Sequence, residues 1–215
     1  MRHTKLTWIS GLALMSALGF AQAQEVIDRI AAKTDTGIIL LSDIRELQRY
    51  QLFVDGKSET DEQVLDRLID QSIVRNEAKT ALFREPSDAE VKRSLDRLKR
   101  SFSTPEEFED RKKQSGLTDA DIERMLRAQL YLSSYLDTRF RASVQIDDKD
   151  IEQFYKTRII PRAESRGQTP PTLEAARPFI QEALVRRAID EQGDRWLKES
   201  RARLHVENLL SEKRQ

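Results

Sequence analysis

The residue types that carry most protein chemistry are scarce in this chain. Cys is 0 among 215 residues, which removes disulfides, thiolate nucleophiles, thiolate metal sites and iron–sulfur clusters together. His occurs only at positions 3 and 205, too few for a metal centre that wants three or four protein ligands. Asp147-Asp148-Lys149-Asp150 has the composition of a cation loop, yet an EF-hand needs Gly at its sixth position and Glu at its twelfth, and neither is there. These acids read as helix caps. With 37 Asp plus Glu, carboxylate pairs at useful spacings arise by chance, and none sits beside a signal for an aromatic-lined pocket. No catalytic residue, metal ligand or cofactor is expected.

Aromatic residues are the more informative candidates. Tyr131 and Tyr135 are one helical turn apart and lie about 160–240° from the apolar stripe of their own helix at 100° per residue. Two readings follow. A helix inside a bundle packs on two sides, which would make both tyrosines core. Alternatively they form an exposed aromatic cradle, because Tyr offers apolar area and a hydroxyl to partners of many sequences at low entropic cost. Phe53 and Phe102, near helix ends, are candidates for the same binding surface, although terminal aromatics also serve as staples.

The elements that must position these residues are helical. Charged side chains make up 34% and hydrophobic ones 38%, against roughly 25% and 45–50% in an average globular protein. Pro 6 and Gly 7 are too few for a disordered chain or a turn-rich all-β fold. Val26–Ala32 and Gly37–Leu41 flank Thr34-Asp35-Thr36-Gly37 as a hairpin. Ser42 or Asp43 then caps a helix bearing Ile44, Leu47 and Tyr50. Thr60…Gln63, Ser87…Glu90 and Thr104…Glu107 are capping boxes, the last with Pro105 at the first helical position. Gly116 ends that helix. Thr118 opens a long segment, with Ile122, Met125, Leu126, Leu132, Leu136 and Phe140 on one face. A short helix follows Ile146. Pro161, Gly167, Pro170 and Pro171 mark 158–172 as the one linker, and a last helix from about Leu173 to Ala202 contains Pro178, which predicts a late start or a kink. Leu204 and Val206 then alternate with polar residues, and a lone closing strand needs the N-terminal hairpin as its partner.

Charge and targeting narrow the partners. The formal net charge is +0, and the basic run Lys92, Arg93, Arg97, Lys99, Arg100 is interleaved with acids, which argues against a nucleic-acid partner. Arg2, His3 and Lys5, the apolar run Leu6–Phe20 and Ala21-Gln22-Ala23 together read as a secretory signal peptide over residues 1–23. That run is short of the ~20 apolar residues of a spanning helix, so stable membrane insertion is not expected. Export without any Cys suits a bacterial periplasm.

Several segments are similar to those of SurA-type periplasmic chaperones, the parvulin-linked folding factors. Val26-x-Asp28-x-Ile30-Ala31-Ala32 with Gly37-Ile38-Ile39-Leu40-x-Ser42-Asp43 resembles their opening. Leu65-x-x-Leu68-Ile69-x-x-x-Ile73, Phe102-x-x-x-Glu106-Glu107-Phe108-Glu109 with Gly116-Leu117-Thr118, Ile146-Asp147-Asp148-x-Asp150-Ile151-x-x-Phe154-Tyr155, and Trp196-Leu197-x-x-x-Arg201 with Leu204-x-Val206 follow in the family's order. The departure is between Lys156 and Thr172, where the family carries one or two parvulin domains of about a hundred residues each. No such domain fits.

The resemblance implies a mainly α, multi-helix bundle with a small β-sheet pairing the N-terminal hairpin with the C-terminal strand. Residues 24–157 and 173–210 would form one chaperone core from both ends of the chain, with 158–172 as the linker where the family places its isomerase. It implies ATP-independent binding of unfolded outer-membrane or envelope polypeptides in a helical cleft, without a cofactor and without isomerase activity. Two other readings stay open: a dedicated envelope adaptor or structural protein, and a peptidyl-prolyl isomerase working through another site. A homodimer is left open as well.

Overall fold

The computed structural model describes residues 28–210. The expected signal segment, residues 1–23, and the start of the first strand at Val26 lie outside the described residues. Strand β1 (Ile30–Thr34) pairs antiparallel with β2 (Gly37–Leu40) across a turn at Asp35 and Thr36. Thr36 N–H donates to Thr34 Oγ1 at 3.2 Å, and Gly37 takes φ +147, which an L side chain rarely adopts. A register shift between Ile30 and Ala32 breaks the strict alternation of faces. That is how Ala31 and Ala32, neighbours in sequence, are both fully buried. Strand β3 (Val206–Asn208) joins the other side of β1, giving the order β2-β1-β3. The expected sheet tying the two chain ends is therefore present.

Local capping chemistry sets most helix starts. Helix α1 (Leu41–Asp55) begins two residues earlier than a Ser42 cap would place it, and three earlier than an Asp43 cap. Strand β2 runs straight into it, so Leu40 is the cap residue and its N–H donates to Asp43 Oδ2 at 2.8 Å. Ser42 sits in the first turn and donates to Asp28. In α2 (Asp61–Thr80), Thr60 and Gln63 exchange the two reciprocal bonds of a capping box, at 3.3 and 3.1 Å. Ser87 and Glu90 do the same for α3 (Asp88–Ser101). Helix α4 (Pro105–Ser115) is capped by Thr104, but the returning carboxylate of Glu107 accepts from Ser103 N–H at 3.0 Å rather than from Thr104. Gly116, at φ 67, ends it. Thr118 and Asp121 cap α5 (Asp119–Phe140).

The second half departs from expectation at its breakers. Helix α6 (Asp148–Phe154) runs through a π turn, Tyr155–Ile159, into α7 (Ile160–Glu164). Helical structure thus continues past Arg158, where the linker was placed. Pro161 falls in the first turn of α7, where a missing donor is tolerated, and only Ser165–Thr172 remains outside a helix. Helix α8 (Leu173–Arg203) starts ahead of Pro178 rather than after it, because Thr172 Oγ1 accepts from Ala175 N–H at 3.2 Å and fixes the first turn.

Four apolar clusters hold the elements together. The first joins Ala32 and Ile39 of the sheet to Ile44 and Leu47 of α1 and Val64, Leu65 and Ile69 of α2. The second gathers Phe53, Val91, Phe108, Ile122 and Leu126 from α1, α3, α4 and α5. The third sets Val74 and Ala78 of α2 against Tyr131 and Tyr135 of α5. Trp196 and Leu197 of α8 pack on the first and the third alike, so the last helix clamps the N-terminal half. The fourth lies apart, with Ile151 of α6 on Ala176 and Ile180 of α8.

Candidate functional site

Between the clusters runs an open groove of about 1890 Å³ whose walls come from α1, α2, α3 and α5, with the β1–β2 turn at its rim. Its apolar lining includes Leu47, Tyr50 and Val54 of α1, Leu68 of α2, Leu98 of α3, and Met125, Leu132 and Leu136 of α5. Charged and amide side chains interleave with these, among them Gln51, Arg67, Gln71, Arg75, Lys79, Arg97 and Gln129. Small-molecule pockets are usually about 300–1,000 Å³ and much more enclosed. An open, mixed lining of this size suits an extended chain better than a compact ligand.

Ion pairs set the spacing of the walls. Arg124 of α5 donates to Glu46 of α1 at 3.1 Å, and Arg127 of α5 donates to Pro86 O at 2.7 Å and Asp88 at 2.6 Å at the start of α3. Arg67 holds Glu59, whose carboxyl also accepts from Gln51 and is kept below the usual carboxylate range by these two bonds. Burial, with the nearby Asp55 carboxylate second, pushes the Tyr50 phenol up to about 12. Like any phenol near neutral pH it is uncharged, so it presents an aromatic ring to the groove.

The four aromatics singled out from sequence are placed mainly in the core. Tyr131 and Tyr135 are each 5% exposed. Phe83 packs on both, with ring centroids 5.8 and 5.5 Å away, and Tyr135 Oη accepts from Arg139 at 3.0 Å. Phe53 is fully buried in a trio with Phe102 and Phe108, at 5.4 and 5.2 Å. Phe102 is half-buried on the same cluster, under the Arg111 guanidinium. An exposed cradle of these four is thus not formed in this conformation, and α5 packs on two sides. Of the four, only Tyr131 lines the groove, and it is almost fully covered.

The reason lies in the width of the apolar surface of α5. Met125, Leu132 and Leu136, read as core stripe, are only partly buried and line the groove. Apolar residues run around more than one face of this helix, more than its neighbours cover. That excess was a sequence signal for an open face, although not for which face. Tyr50, Leu68 and Leu98 carried no comparable signal.

The remaining polar candidates have structural surroundings. His205 is exposed just ahead of β3, and its backbone N–H donates to Asp35 at 2.9 Å. Asp147 occupies the cap position of α6 but makes no side-chain cap bond, contrary to expectation, and Asp148 pairs with Arg177 at 2.6 Å. Among the described residues no group of three or more His, Cys, Asp or Glu is placed to hold a metal ion. None of the described helices is long and apolar enough to cross a membrane.

Fold and groove together define a mainly α domain, closed by a small sheet at its chain ends and bearing a long open helical groove. Among known proteins, the chain is similar to "Chaperone SurA" of Methylococcus capsulatus: 22% of positions are identical over 156 residues, covering 68% of this chain and 34% of that protein. The chain thus matches about a third of the length of this relative. No family model matches. The similarity supports a SurA-like relationship and, at most, a chaperone-like role.

Proposed function

We propose that this chain is an ATP-independent periplasmic chaperone that holds unfolded outer-membrane or envelope polypeptides in the groove between α1, α2, α3 and α5. The groove itself carries the reading: about 1890 Å³, open, with apolar patches set among neutral and charged polar side chains. Such a lining shields apolar client segments from one another without demanding one sequence. The similarity to a chaperone points the same way. Export would use the signal segment at residues 1–23.

The contacts that matter in this reading are Tyr50, Leu98, Met125, Leu132 and Leu136. No covalent step is involved. The stretch from Lys156 to Thr172 is too short for a parvulin domain, so an X-Pro bond should exchange at its uncatalysed ~10–100 s. Affinity per site would be weak, since ordering an unfolded client costs several kcal/mol of the contact energy.

The test is suppression of aggregation. The purified mature chain should keep a urea-unfolded outer-membrane barrel soluble on dilution, at stoichiometric amounts and without nucleotide, and should do so for several unrelated barrels. Holding one protein only would favour the dedicated adaptor, and holding none would end the reading.

A further inference from the structure

The rim of the groove contains a free sheet edge. Among the described residues the order is β2-β1-β3, and strand β2 has a partner on one side only. Thr34 and Gly37 face each other across the two-residue turn and Lys33 pairs with Ile38, so by antiparallel alternation Gly37 directs its main-chain groups at β1 and Ile38 directs its own outward. Two bonds check this parity. Leu40 N–H, two residues on, is turned away from β1 and donates to Asp43 at 2.8 Å, while Leu41 N–H, on the inward parity, donates to Arg29 O at 2.8 Å. Nothing among the described residues takes up the N–H or the C=O of Ile38.

Natural sheets guard such edges with charge, proline or a cover. The opposite edge strand, β3, carries Glu207, paired to Lys33 at 3.3 Å. Strand β2 is Gly-Ile-Ile-Leu, with neither charge nor proline, and only its four-residue length limits the edge. The Ile38 side chain is 60% exposed, and Thr36, Gly37, Ile38 and Ile39 all line the groove. The edge is therefore continuous with the wall on which the proposed client would lie.

We infer that the outward edge of β2 docks an extended segment of an unfolded polypeptide as an added strand, through the N–H and C=O of Ile38 and the apolar contact of its side chain. The inference rests on the chaperone reading above and adds its recognition mode. Main-chain bonds are the same for every client sequence, so an edge of this kind supplies affinity without selectivity. One residue pair keeps the hold reversible.

The probe is a labelled ten-residue peptide of alternating Thr and Val with one Tyr, compared with the same peptide N-methylated at its four central residues. The protein variants are Ile38→Pro, which deletes an outward N–H together with the isoleucine side chain and is compatible with an edge strand, and Ile38→Val, which keeps the N–H and most of the side chain; the methylated peptide removes main-chain bonds alone. Loss of one or two main-chain bonds should weaken binding about 3- to 10-fold. That loss is expected for Ile38→Pro and for the methylated peptide on the wild-type chain, with Ile38→Val close to wild type. Should Ile38→Pro fail to fold, the methylated peptide on the wild-type chain decides alone. Equal affinity for both peptides overturns the edge inference. If the wild-type chain still keeps the unfolded barrel soluble, only the edge is lost; if it does not, the chaperone reading falls too.

Discussion

Arg201, two residues from the end of α8, donates to Asp70 of α2 at 3.1 Å across 131 residues of sequence, and the same guanidinium reaches Asp66 one turn away. The pair joins the last helix to the helix that walls the groove. It also shows which force dominates there. Burial raises the Asp70 pKa, and Arg201 offsets that rise only in part.

The sign of that shift gives a pH prediction. A carboxyl whose folded pKa is raised contributes stability that is complete below its unfolded value and is lost as pH rises through the folded one. Removing Arg201 raises the folded pKa of Asp70 further, so the loss grows. Arg201→Ala should therefore destabilise more at pH 7 than at pH 3, by about 1 kcal/mol for a pair this exposed. Urea unfolding at both pH values measures it, and an equal effect at both would contradict the account.

Asp121 behaves in the opposite sense. Bonds from Thr118, both backbone and hydroxyl, and then from Arg124 lower its carboxyl to about 2. Its stabilising contribution is present above the ordinary value near 4 and disappears as pH falls toward 2. Asp121→Asn should leave the chain less stable at pH 6 and remove that part of its acid sensitivity, read by circular dichroism during acid titration.

Closure of the chain ends should matter globally. Leu204, Val206 and Leu210 pack on the cluster that includes Ile39 and Ile44, and Leu209 N–H donates to Ala31 O at 2.9 Å. Deleting residues 203–215 strips β3 and those contacts. Tm should fall by several degrees or more and helix content with it, since a loss of about 1 kcal/mol already shifts Tm by roughly 2–4 °C in a domain of this size. An unchanged melting curve would mean that β3 is dispensable.

Core and groove residues of α5 should separate cleanly. Tyr131→Ala with Tyr135→Ala empties two buried sites, at about 3–5 kcal/mol each, and client holding should fail only as the fold fails. Leu132→Ser with Leu136→Ser changes partly exposed groove wall. That variant should melt within a few degrees of wild type while suppressing barrel aggregation less well. The reverse pattern would move the client surface to the tyrosines.

Chemistry confined to four or five consecutive residues was legible in the sequence. Thr60, Ser87, Thr104 and Thr118 cap their helices as their spacing predicts, because a hydroxyl and the N–H three residues on meet in any helix start. The closing strand was legible too, since Val206 had no other sheet to join. Which side of α5 would be covered was not. Helical periodicity places Tyr131 and Leu132 on faces about 100° apart but is silent on where neighbouring helices cross. Helix α2 and Phe83 took the tyrosine side, leaving Leu132 and Leu136 partly exposed on the groove. The groove has no local signature for the same reason. It is a gap between four helices, and its position depends on crossings and long-range pairs such as Arg124–Glu46 and Arg201–Asp70, whose partners stand 78 and 131 residues apart.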